Sequence, residues 1–207
     1  MKPIFFFYLV LLLFKQEAFG QGAKPDKFYV FVGEKIEVKE FQVEAKPGTI
    51  IMNQGFKAKY KVLKNLYGNF SKDTIEFDAY DHYGFPGFAN YSHVLLYVSE
   101  YNGRLYHEKY QFSPVYKTGN NRWAGPYAKI DYEHPYAKST TLKPEKISFP
   151  AEAAVDISKY SPERIPELFP QPYYTVGNGR AMPLMGNYIE EMFQLKKEGI
   201  LKARGIF

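Results

Sequence analysis

Residues 76 to 108 hold most of the side chains in this chain that can do acid–base or metal chemistry. They are Glu76, Asp78, Asp81, His82, His93, His107 and Glu108. The densest stretch is Asp78-Ala79-Tyr80-Asp81-His82-Tyr83-Gly84. Successive strand residues point to opposite faces, so Asp78, Tyr80 and His82 share one face and Asp81 points to the other. A cation site here draws on Asp81, His82 and His107, carboxylate and imidazole being ordinary ligands for a divalent metal. It forms only if neighbouring strands bring His107 alongside, with His93 and Glu108 as further partners. The structural alternative is simpler. Asp81 and His82 end a strand and open the turn Gly84-Phe85-Pro86-Gly87, with the aspartate accepting backbone N–H groups.

Paired carboxylates are a second option. Glu76 and Asp78 lie on one strand face about 7 Å apart, a separation that suits a general acid and base across a scissile bond. A hydrolase, metal-assisted or not, would use Asp78, Asp81, His82 or Glu108. The preceding segment offers another reason for the two acids. In FKAKYKVLKNLY, residues 56–67, Phe56, Ala58, Tyr60 and Val62 face one way and Lys57, Lys59 and Lys61 the other. Opposite charges on adjacent strands pair, and this accounts for Glu76 and Asp78 without catalysis. Serine chemistry has no support: Gly-x-Ser-x-Gly is absent, and Ser92 and His93 point to opposite faces of a strand. The glycines in TVGNGRAM, 175–182, lack the strand-to-helix context of a phosphate loop and read as a tight turn. No catalytic residue and no cofactor is therefore assigned.

Aromatic residues are the strongest compositional feature, with 19 Tyr and 18 Phe. Tyr83, Phe85, Phe88 and Tyr91 cluster around glycines and a proline, and Tyr127 lies in a later irregular stretch. Loops concentrate binding residues, so these five are the candidate ligand contacts. The competing expectation is that such rings glue a C-terminal wrap onto the core.

The elements that must position these groups follow from period and punctuation. Alternation or continuous apolar runs predict strands over 28–43, 56–67, 74–81, 93–100 and 105–116, with a short edge strand in 122–130. Gly33 predicts a bend or bulge. Asn102-Gly103 predicts a hairpin. After residue 134 prolines recur. Ser161-Pro162-Glu163 starts a short helix that Pro170 ends, and Asn187 caps a final helix over 188–198 with Gly199 as its stop. The expected fold is mainly β, a small antiparallel Greek-key barrel over 21–133. A Pro-rich extension over 134–207, with one or two short helices, packs on the same domain.

The first residues bear on location. Lys2, the apolar run 4–14, and Ala18 and Gly20 before a cut after Gly20 have the layout of a secretory signal peptide over 1–20. The run is shorter than the roughly 20 residues of a membrane-spanning helix, so no membrane span is expected. The expected destination is the periplasm or the exterior. Net charge is +5, and +4 once Lys2, Lys15 and Glu17 are removed. No block of basic residues suggests nucleic acid as a partner. The absence of Cys rules out thiol catalysis and Cys-ligated zinc. A chain of this length can bury a core without disulfides.

The segments VFVGEKIEVKEF, FKAKYKVLKNLYGN, DTIEFDAY and YSHVLLYVSEYNG, within residues 29–103, resemble the secreted OB-fold of the netrin-module and tissue-inhibitor-of-metalloproteinase class. The resemblance implies an OB-like barrel. It implies no inhibitor activity, because the cysteines that engage a protease zinc are missing. Barrels of this type bind oligomers or proteins on the barrel face and rim loops. The reading that results is an exported, non-enzymatic binding or envelope-accessory protein. Its partner would be an envelope or extracellular protein, a peptide or a glycan.

Overall fold

The structure is a computed structural model and describes residues 24–44, 48, 50–137 and 140–207. The expected signal peptide lies outside the described residues. Five strands, β1 (Lys27–Phe41), β2 (Gln54–Tyr67), β3 (Thr74–Asp81), β4 (His93–Tyr101) and β5 (Arg104–Pro114), close into a barrel in the order β1-β2-β3-β5-β4. All neighbours are antiparallel except β3 and β5, which meet in parallel at Asp78 and Tyr106. This is OB-like Greek-key connectivity. β1 serves two neighbours, pairing with β4 from Lys27 to Glu34 and with β2 from Val30 to Phe41. A register shift at Val32/Gly33 marks the expected bulge. A Cβ at Gly33 would stand 3.0 Å from the Tyr60 ring, so the bend also depends on the missing side chain.

The barrel interior is aromatic. Phe31, Phe56, Tyr60, Phe77 and Phe88 are buried there with Ile75, Val94 and Leu96. Phe88 comes from a 3₁₀ turn over Gly87–Asn90, between β3 and β4, that plugs one end. Its ring lies 6.0 Å from Tyr60, 6.0 Å from Phe77 and 4.6 Å from His107.

A second core sits outside the barrel. Phe28, Val30, Val32, Leu95 and Tyr97 point outward from β1 and β4 and are covered by Ile189, Met192, Leu201 and Ile206. Buried on both faces, these strands read as continuous apolar runs, FYVFV and VLLYV. The cover is α3 (Ile189–Lys196) and the short turn that follows it beyond a kink at Gly199. Gly199 breaks the helix as expected: its φ and ψ of -95 and -108 are not helical, and a further short turn follows the kink and ends at Gly205, whose φ is +73. Asn187 does not cap the helix, contrary to expectation: Tyr188 occupies the N-cap without a side-chain bond.

The stretch before α3 is less irregular than its prolines suggest. β6 (Tyr116–Lys117), β7 (Trp123–Pro126), β8 (Glu145–Lys146) and β12 (Met185–Tyr188) form one small sheet. β9 (Val155–Asp156), β10 (Tyr174–Gly177) and β11 (Arg180–Pro183) form another. Asn178 and Gly179, with φ of +50 and +71, make the β10–β11 turn, as Asn102 and Gly103 do for β4–β5. Two short helices, α1 (Lys129–Glu133) and α2 (Ile165–Leu168), complete the order. Among the described residues no helix is long and apolar enough to cross a membrane.

Candidate functional site

The groups singled out for acid–base and metal chemistry are placed by the barrel and engaged within it. Lys57 lies opposite Asp78 and Lys59 opposite Glu76 in the β2–β3 register, as the lysine row predicts. Asp78 is buried rather than solvent-facing. It forms ion pairs with Lys57 and with Arg104 of β5 at 3.3 Å, because the parallel β3–β5 contact folds Arg104 over it. The Asp78 Oδ1–Lys57 contact has ion-pair proximity without hydrogen-bond geometry. Glu108 accepts from Ser99 and from Arg204.

The expected cation site does not assemble. Asp81 Oδ1 accepts from Tyr83 N at 2.8 Å, the turn role anticipated for it. His82 is exposed and its Nδ1 lies 2.6 Å from the Met52 carbonyl. The His107 ring is instead set among aromatic rings, 6.1 Å from Phe77 and 4.6 Å from Phe88. Among the described residues no three His, Asp or Glu side chains are grouped to hold a metal ion. His107 Nε2 lies 2.9 Å from the Gln111 carbonyl, which can only accept, so the neutral ring carries its proton on Nε2. Burial pushes the His107 pKa down to about 4; the Gln111 carbonyl opposes the shift and nearby Arg204 adds to it.

The five aromatic candidates divide. Phe88 is 0% exposed and belongs to the barrel core, because the 3₁₀ turn rotates it inward. Tyr91 is half-buried, its ring 6.2 Å from Phe112. Tyr127 stacks on Tyr173 at 3.7 Å and lines an open cleft of about 580 Å³ with Glu133, His134 and Glu167. Tyr83 and Phe85 stay at the surface, 85% and 56% exposed.

Those two rings are part of a larger surface built from three segments. Ile50, Ile51 and Met52, from the β1–β2 connection, are exposed, Ile50 at 90%. The His82–Met52 contact and the 5.5 Å approach of Phe85 to Phe56 tie the 82–85 turn to β2 and the connection before it. Tyr83 lies 6.0 Å from Tyr110 of β5. Lys109 donates to Asn53 Oδ1 at 2.6 Å, joining β5 to the same connection. Tyr110 has φ +65, a left-handed conformation that is costly for a bulky residue. Residues held this way cluster at functional sites. The aliphatic part of the surface carried a signal in the sequence: three consecutive apolar residues between the turn pairs Pro47-Gly48 and Gln54-Gly55.

Behind Tyr110 lies a smaller pocket of about 180 Å³. Lys196 of α3 and Asp131 of α1 line it as an ion pair of 2.7 Å, their side chains only 6% and 11% exposed. Gln111, also buried, offers Oε1 to Lys196 at 3.4 Å. Ile130, Leu195 and Ile200 supply apolar wall, and His134 stands beside them. Lys196 and Asp131 are 65 positions apart, and no local pattern announces them.

Compared with protein-family models, with curated proteins and with solved structures, the chain finds no match.

Proposed function

We propose that this protein is an exported, non-enzymatic binding module that docks a partner protein through the surface formed by Ile51, Met52, Tyr83, Phe85 and Tyr110. The observation that carries the reading is the convergence of three segments on one exposed apolar surface at the end of a packed barrel. Isolated exposed apolar residues are ordinary, but a grouped patch marks an interaction site. Tyrosine gives rigid contact area, and methionine adapts to an irregular surface. The aliphatic share favours a protein over a glycan, since sugars need polar partners beside a ring. The apolar leader with Ala18 and Gly20 supports export to the periplasm or beyond.

The hydrolase alternative draws little support from the geometry. Asp78, Asp81, His82, His107 and Glu108 each have a structural partner.

Crosslinking in the native cells, with mass spectrometry of what attaches, tests the reading. The variant Ile51→Asp/Phe85→Ala changes exposed side chains only and should keep the wild-type circular dichroism spectrum. The reading expects one abundant crosslinked protein that this variant loses. A crosslink pattern unchanged by the variant would overturn it.

A further inference from the structure

We propose that the pocket behind Tyr110 binds a phenol ring, with the hydroxyl seated on the Lys196–Asp131 pair. The size fits. An apolar cavity of about 150 Å³ accommodates benzene, and this pocket measures about 180 Å³. The chemistry narrows the choice. Ile130, Leu195 and Ile200 provide apolar wall for a flat ring. Lys196 and Asp131 already neutralise one another at 2.7 Å. A carboxylate or an ammonium group brought to that pair would leave a net charge in a place with little water, which is costly. A neutral group that both donates and accepts suits it: its O–H donates to the Asp131 carboxylate and its oxygen accepts from the Lys196 ammonium. Phenol combines that tip with an apolar body.

One further feature singles out this place: Tyr110, which lines the pocket, has the strained φ of +65. The phenol can be the tyrosine side chain of a docked protein or a free small phenol, and the experiment separates these sources. The inference rests on the pocket and stands apart from the docking surface, with which it shares only Tyr110.

The test is methyl NMR on the labelled protein, following Ile130, Leu195 and Ile200 during titration with p-cresol, p-xylene and N-acetyl-tyrosinamide. Wild type should bind p-cresol at least about tenfold more tightly than p-xylene, the scale of one hydrogen bond to a charged group. Lys196→Met/Asp131→Leu replaces the pair with apolar groups of similar size, a change a fold often tolerates. It should abolish the preference. Ile130→Trp alters a largely exposed wall residue without touching the pair and should block all three ligands. Ile51→Asp/Phe85→Ala should leave the p-cresol shifts unchanged, so failure here and failure of the docking reading are distinguishable. Shifts with both p-cresol and N-acetyl-tyrosinamide identify a tyrosine side chain, and shifts with p-cresol alone a free phenol. Absence of shifts at these methyls, equal affinity for p-cresol and p-xylene, or a preference that survives in Lys196→Met/Asp131→Leu would overturn the proposal.

Discussion

Acidification should loosen this barrel through His107, and the magnitude follows from its surroundings. The ring lies beside Phe77 and Phe88 in the barrel, and its Nε2–H donates to the Gln111 carbonyl. Burial lowers its pKa from 6.5 to about 4. In the unfolded chain the histidine takes up a proton near pH 6.5; in the folded chain it resists until near pH 4. Between these values the unfolded state holds more protons, so stability falls as pH falls. The contribution is fully present above about pH 6.5 and gone below about pH 4. At 1.36 kcal/mol per unit, the loss is at most about 3 kcal/mol, and partial exposure of the residue trims it. The assay is urea unfolding at intervals from pH 7.5 to 4.0, for wild type and for His107→Phe, which keeps a ring between the two phenylalanines. Other groups titrate in both proteins, so the difference between the two curves isolates His107. Wild type should lose up to about 3 kcal/mol more than the variant over this range. Parallel curves, or a His107 ring resonance that titrates near pH 6.5 in the folded protein, would refute the reasoning.

Three other outcomes test the packing, the first two by the same unfolding method. Phe88→Ala should cost about 3–5 kcal/mol, since its ring fills the barrel end between Tyr60, Phe77 and His107. A loss below about 1 kcal/mol would mean that the plug collapses without a cavity. Removing the cations that cover Asp78, as Lys57→Ala/Arg104→Ala, should cost about 3–5 kcal/mol by stranding a buried carboxylate. Asp78→Ala should cost clearly less, because the two cations, roughly half and two-thirds exposed, return to water; the reverse order would count against the pairing. A chain ending before Ile189 should fail to fold, as judged by circular dichroism and dye binding. It bares Phe28, Val30, Val32 and Leu95, whose burial is worth roughly 6–12 kcal/mol together, as much as a domain's whole stability. A cooperative melt in that shortened chain would show that the outer core is dispensable.

Much of the fold was legible in local pattern because much of it is set locally. β3 spans Thr74–Asp81 as its alternation predicts, and the Asn102-Gly103 and Asn178-Gly179 turns adopt the positive φ that Asn and Gly accept most readily. Gly33 marks its bulge because a side chain there would press on Tyr60. The lysine row and its acids pair because strand alternation carries charge to one face on both strands. What was misjudged depends on distant partners. Phe88 looks like a loop aromatic by its neighbours in the chain, yet a single 3₁₀ turn aims it into the barrel. Gly199 breaks the final helix as its type suggests, but the chain beyond it winds a further turn because Leu201 and Ile206 pack onto β1 and β4. The small strands β8 to β12 are two to four residues long. That is too short for periodicity to register, and they exist only where another strand lies alongside.

The chain by itself determined the barrel strands, their turns and the charge pairing across β2 and β3, because each depends on residues one, two or a few positions apart. Only the tertiary structure decided which aromatic rings remain outside, that Ile51, Met52, Tyr83 and Tyr110 meet at one end, and that Lys196 finds Asp131. Those juxtapositions depend on barrel closure and on the docking of α3. Both are driven by burial of apolar surface, which is non-directional and leaves no periodic mark on the segments that it brings together.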